Sequence, residues 1–146
     1  MGLKDWLASG WLTDHQTSSE EISALFAEVA RDLSDCQLTG LSNDWRLNIA
    51  YNAALQIAAA ALAACGYRAA RESHHYRLIE SLALTAGVDA ATVRLLDTYR
   101  KKRNRAGYET AGLVSDEEAK GMAELAERLR EDVMRWLKAK HPELVR

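Results

Sequence analysis

The residues best able to do chemistry lie between Tyr99 and Glu109, in the run Tyr-Arg-Lys-Lys-Arg-Asn-Arg-Ala-Gly-Tyr-Glu. Five of the six residues from Arg100 to Arg105 are basic. From Arg94 to Arg105 six positive charges face Asp97 alone, a local +5 in a chain whose net charge is −2. A basic site on an acidic body predicts a specific anionic ligand rather than general polyanion binding. As a helix from Ala90 onward, the segment places Thr92, Leu96, Tyr99, Arg103 and Ala106 on one face. Arg103 then sits on the apolar stripe, where a desolvated charge needs a partner. Arg100, Lys101 and Lys102 turn towards solvent. Tyr108 would point roughly 140° away from Arg103 on an unbroken helix. A break at Gly107 would bring the phenol back towards the guanidinium.

Other reactive side chains are less well placed. His74 and His75 are adjacent and so point in different directions, and no third ligand is positioned to complete a metal site. No metal and no cofactor is expected. Cys36 and Cys65 lack metal-ligand spacing. They admit a disulfide in principle, but two reduced core thiols in a cytoplasmic protein are the expectation. The N-terminus carries an acid and no long apolar run, so no secretory signal is read there. Its Met-Gly start lacks the Ser or Thr that myristoylation wants. The apolar run from Ala53 to Cys65 is too short to span a bilayer and contains Gln56.

Composition favours helix, with many alanines, few β-branched residues and one proline, Pro142. Leu3 to Ala8 reads as a short helix, with Trp6, Leu7, Trp11 and Leu12 as an apolar cluster. That cluster packs over the core or over a second subunit. Ser18-Ser-Glu-Glu21 reads as a capping box opening a long helix with Ile22, Leu25, Phe26, Val29 and Leu33 on its apolar face. Gln37 to Ser42 is a loop. Asn43 to Cys65 reads as a central buried helix, ended by Gly66. Tyr67 to Ser73 is polar and basic, and a third helix runs from His74 to Gly87. Asp89 caps the helix that carries the basic run. Glu109 to Val114 is a loop, and Ser115-Asp-Glu-Glu118 is a second capping box. The last helix holds Ala119, Met122, Ala126, Leu129, Val133 and Trp136 on one stripe. Glu124–Arg128 and Glu131–Arg135 are spaced as surface pairs, and Pro142 marks the end. The expected fold is all-α, an antiparallel up-and-down bundle of four to five helices. Residues 1–17 form an appendage, 18–140 one domain, and 141–146 a tail.

Three features together resemble one known family. They are the alanine-rich helix from Tyr51 to Arg68, His74-His75 opening the next helix, and Arg103-Asn104-Arg105-Ala106-Gly107-Tyr108 before a capped final helix. The chain resembles the HEPN family over roughly Glu20 to Leu137. These are small helical domains of prokaryotic toxin–antitoxin and defence systems. Its motif is similar to that of an uncharacterised prokaryotic subfamily with Arg followed by Ala-Asp-Tyr, Gly107 standing in the middle place. Catalytic HEPN proteins are metal-independent endoribonucleases in which an arginine is followed by a histidine, and two subunits form the cleft. The resemblance makes Arg103 the motif arginine and Asn104 the polar residue after it. Tyr108 stands where histidine would.

That departure matters chemically. Cleavage through the 2′-hydroxyl needs a base, an acid and positive charge on the phosphorane. Arg103 supplies the charge, doubled in a dimer. Histidine suits both proton roles, whereas a tyrosine with a pKa of about 10 is a poor base near neutrality. Tyr108 acts as an acid, orients the phosphate, or merely closes the helix end. It does not align with the tyrosine that nucleotidyltransferase antitoxins modify in related toxins.

Two function classes follow. In the first, a homodimer binds RNA or nucleotide phosphate through Arg103, Asn104 and Tyr108, with Arg100, Lys101, Lys102 and Arg105 adding backbone electrostatics, and works as a ribonuclease or toxin. In the second, the chain is a non-catalytic module that pairs with an antitoxin or a nucleotidyltransferase. A plain cytoplasmic bundle with a basic helix end is the third reading.

Overall fold

Hydroxyl caps open the long helices. In this computed structural model, which describes residues 2–71, 74–108 and 113–145 (105–108 by backbone), Ser18 accepts from the Glu21 N–H at 3.1 Å. Ser42 accepts from the Trp45 N–H at 3.2 Å, and Ser115 from the Glu118 N–H at 3.1 Å. Each bond satisfies a first-turn amide that has no partner within the helix. The Ser115 box is complete, because Glu118 accepts from the Ser115 N–H at 3.0 Å. The Ser18 box is half made, since Glu21 turns its carboxylate to Thr17 and His15 instead.

The elements in order are α1 (Leu3–Ala8), β1 (Leu12–Asp14), α2 (Ser19–Asp35), α3 (Asn43–Ala64), β2 (Tyr67–Ala69), α4 (His74–Ser81), α5 (Ala90–Tyr108) and α6 (Asp116–Lys140). A 3-10 turn, Pro142–Leu144, follows. The chain is all-α in class, 72% helix with one small two-stranded sheet.

The hub is α3. Its buried residues lie all round the helix: Leu47, Tyr51, Ile57 and Leu62 are fully covered, and so are Ala50, Ala53, Ala58 and Ala60. Alanines let neighbouring helices approach closely. From one side come Ile22, Val29 and Leu33 of α2 and Met122, Leu129 and Val133 of α6; Leu78, Ile79 and Leu96 of α4 and α5 close the other. Each buried Leu or Ile contributes about 2 kcal/mol of transfer free energy. The 22 residues of α3 are long and apolar enough to cross a membrane, but 67% of the apolar window is buried inside the fold, as in a core helix.

Three expectations need correction. Tyr67–Ala69 is not simply a polar connection: it pairs antiparallel with Leu12–Asp14, Thr13 opposite Arg68. Gly66, at φ +94°, makes the turn out of α3 that this pairing requires. The N-terminal cluster packs over the core, the first of its two expected placements, with Leu7 and Trp11 half-buried against it. Trp6 and Leu12 are buried within the chain, and the Arg77 guanidinium lies 3.5 Å from the Trp11 ring centroid, covering it. The third helix stops at Ser81, short of Gly87, because turns occupy the residues between. On α6 the surface pairs are Glu127–Arg130 at 2.7 Å and Asp132–Arg135 at 3.2 Å, each three residues apart. At the start of the helix with the basic run, the Asp89 carboxylate accepts from Thr92 Oγ1 at 2.6 Å and its carbonyl from the Val93 N–H at 3.1 Å. Glu109 to Gly112, most of the expected loop before α6, lie outside the described residues, as do Glu72 and Ser73.

Candidate phosphate site

Arg103 reaches its place through the stripe the sequence predicts. Leu96 is fully buried on α5, and Tyr99, one turn later, is half-buried. The Tyr99 phenol lies over Gly121 of α6, where a Cβ would meet its oxygen at 2.5 Å. Glycine at 121 therefore leaves room for the Tyr99 phenol. One further turn along, Arg103 lies over α3, half-buried. Its Nε donates to Asn48 Oδ1 at 2.8 Å, and its guanidinium carbon is 5.4 Å from the Tyr51 ring centroid. Asn48 and Tyr51 are three residues apart on α3 and so share a face.

Both partners of Arg103 are neutral. Among the described residues no carboxylate pairs with it. With Nε tied to an amide, the two terminal nitrogens keep the fork geometry that suits a phosphate.

Beneath the guanidinium, Tyr51 is wholly buried, and its hydroxyl has no hydrogen-bond partner among the described residues. Burial pushes its pKa far up, against the opposing pull of Arg103 and Arg100. An unmet buried hydroxyl costs free energy. His75, from the first turn of α4, meets the Tyr51 ring edge-on, with centroids 6.0 Å apart. Burial, then the charges of Arg103, His74 and Arg100, push the His75 pKa below the ordinary 6.5. Its imidazole is therefore neutral near pH 7 and free to take a proton.

Of the outer basic residues Lys101 turns to solvent as expected, while Arg100 and Lys102 are half-buried. Arg100 Nε pairs with Asp97 Oδ1 at 2.7 Å, and Lys101 Nζ with Asp97 Oδ2 at 3.4 Å. Lys102 Nζ reaches Glu118 of α6 at 3.3 Å. The one acid within the run, reached at spacings of three and four, and the capping acid of the next helix thus pair three of its side chains and offset two of its charges. Asn104 is half-buried. The backbone of α5 stays helical through Gly107 to Tyr108, so the expected break at Gly107 is not made. The side chains of Arg105 and Tyr108 lie outside the described residues.

The sequence reading names Arg103 but misses Asn48 and Tyr51 as its partners, and sets His75 aside with the metal question. Asn48 is 55 residues from Arg103 and carries no local motif. The available signal is a polar residue three positions before a tyrosine on an otherwise apolar core helix. Among the described residues no group of three or more His, Cys, Asp or Glu side chains gathers as a metal site. Cys36 and Cys65 are free thiols. Compared with protein-family models, curated proteins and solved structures, the chain matches none.

Proposed function

We propose that this chain is a HEPN-like cytoplasmic protein that holds RNA or nucleotide phosphate on Arg103, in a cleft doubled by homodimerisation. The observation that carries this reading is a half-buried guanidinium whose partners among the described residues are neutral. A charge in that setting gains most from an anionic ligand. His75 adds the group that the helix lacks at Tyr108. In the cleavage reaction the neutral imidazole takes the 2′-hydroxyl proton. The 2′-oxygen then bonds to phosphorus, the bond from phosphorus to the 5′-oxygen breaks, and that oxygen takes a proton from water. Arg103 stabilises the charge gathering on the phosphorane. No metal is needed for any of these steps.

A second reading has its own support. Asp97 and Glu118 offset two of the three charges of Arg100, Lys101 and Lys102, which weakens the long-range field expected of a nuclease. On that reading the chain is a non-catalytic module that pairs with an antitoxin or nucleotidyltransferase. The deciding experiment is RNA cleavage in EDTA by the wild type, Arg103→Ala, His75→Gln and Tyr108→Phe, with light scattering at micromolar concentration. Cleavage that survives chelation and is lost with Arg103 and His75, in a dimer, supports the first reading. Binding without cleavage supports the second. Absence of RNA binding, or binding unchanged by Arg103→Ala, sinks the phosphate site.

A further inference from the structure

Two exposed rings border the Arg103 site. Among the described residues the exposed large hydrophobic side chains include four leucines but only two aromatics, Trp45 and Tyr76, and both lie here. Trp45 is 60% exposed on the first turn of α3, three residues before Asn48. That spacing puts the indole and the amide that holds Arg103 on one helix face, with Cβ atoms about 5–6 Å apart. Tyr76 follows His75 on α4, and the Arg100 guanidinium lies 5.4 Å from its ring centroid. Asn48 thus links the face of Trp45 to Arg103, and Arg100, one turn before Arg103 on α5, meets Tyr76.

Scattered exposed apolar residues are ordinary. What distinguishes Trp45 is its setting, whereas the Tyr76 ring already faces Arg77 at 5.3 Å and Arg100 at 5.4 Å. Trp6 and Trp11 meet edge-on at 5.6 Å beneath Arg77, and Trp136 meets His141 edge-on at 5.1 Å. Trp45 has no such ring or cation partner among the described residues. A docking protein helix would call for a continuous apolar stripe. The residues that follow Trp45 on its face are Asn48 and Asn52, and Asn52 already donates to Asp32 of α2 at 3.0 Å. A bare polyphosphate would use Arg103 and leave the rings idle. A strand with phosphates and unstacked bases uses both, since bases stack on aromatic faces while cations track the backbone.

We propose that Trp45 and Tyr76 are stacking platforms on either side of Arg103, so that the ligand is single-stranded RNA with an unpaired base on each side of the held phosphate. This rests on the phosphate reading of the Arg103 site. The test is fluorescence anisotropy of the full chain with a labelled single-stranded 12-mer RNA, a duplex of the same sequence, and inorganic tripolyphosphate as competitor. Trp45→Ala is expected to weaken single-strand binding about tenfold, Tyr76→Ala somewhat less, and Trp45→Phe only slightly. The duplex should bind more weakly than the single strand, and tripolyphosphate should compete equally with wild type and Trp45→Ala. If binding depends on Arg103 but not on Trp45 or Tyr76, the platforms are refuted while the phosphate site stands. If RNA does not bind, or Arg103→Ala changes nothing, the phosphate reading falls and takes the platforms with it. A wild-type dimer that becomes a monomer on Trp45→Ala would assign the indole to a subunit contact and overturn the proposal.

Discussion

Two histidines sit in the same chain with opposite surroundings. His15 Nε2 lies 2.7 Å from Glu21 Oε1, and Thr17 Oγ1 donates to the same oxygen at 2.6 Å. The Thr17 bond, then the His15 bond, hold the Glu21 carboxylate below its ordinary 4.5. This group spans seven residues at the entrance to α2 and closes on itself. His75 has no carboxylate beside it among the described residues. Its neighbours are an aromatic ring with an unmet hydroxyl and the cationic Arg103, drawn from α3 and α5. The first cluster is satisfied and holds a loop on a helix. Among the described residues the second leaves the charge of Arg103 without a counter-charge, which is the condition for receiving an anion.

The largest expected effect separates the clusters by function. Arg103→Ala should weaken RNA binding about a hundredfold, the scale of a charge-assisted bidentate contact, whereas Glu21→Gln should leave it unchanged. Arg103→Lys should recover little, since an ammonium cannot both hold Asn48 and present a planar fork. Titration by anisotropy reads both; equal losses from Arg103→Ala and Glu21→Gln would erase the distinction.

Next in size is the stability of the closed cluster. Glu21→Ala should cost about 1 kcal/mol, discounted for partial exposure, in urea denaturation. Its helix cap survives, because Ser18 accepts from the backbone of residue 21.

Acid separates the two histidine sites by pH. The folded chain protonates His75 less readily than the unfolded chain does, so stability falls as pH drops below about 6.5. Glu21 contributes stability above 4.5, lost only as pH falls through its lower folded value. His75→Gln should therefore flatten the stability profile in the first window and leave the second, in denaturation midpoints taken across pH. Flattening in both windows would show that the clusters are coupled.

The smallest effect is Tyr51→Phe. Removing a buried hydroxyl with no partner should leave stability unchanged or raise it by about 1 kcal/mol. A clear loss in thermal melting would mean that the hydroxyl is already bonded in the free protein.

Much of this molecule is readable locally. The serines at 18, 42 and 115 start helices because their hydroxyls meet amides three residues on. The period of Leu96, Tyr99 and Arg103 places the arginine on the covered face of α5. The ladder between Leu12–Asp14 and Tyr67–Ala69 was not readable, since three residues on each side are too few for a period-two pattern.

The sequence by itself determined the helical class, the caps and the unusual position of Arg103, because these depend on residues within a turn or two of one another. Only the tertiary structure decided what Arg103 meets. Lys102 finds its acid across a helix boundary, and Arg103 finds an amide 55 residues away rather than a carboxylate. His75 gains its neighbours by packing against α3. Which side chains face each other across separate helices is set by how the core of α3 is filled, and no short-range pattern encodes that.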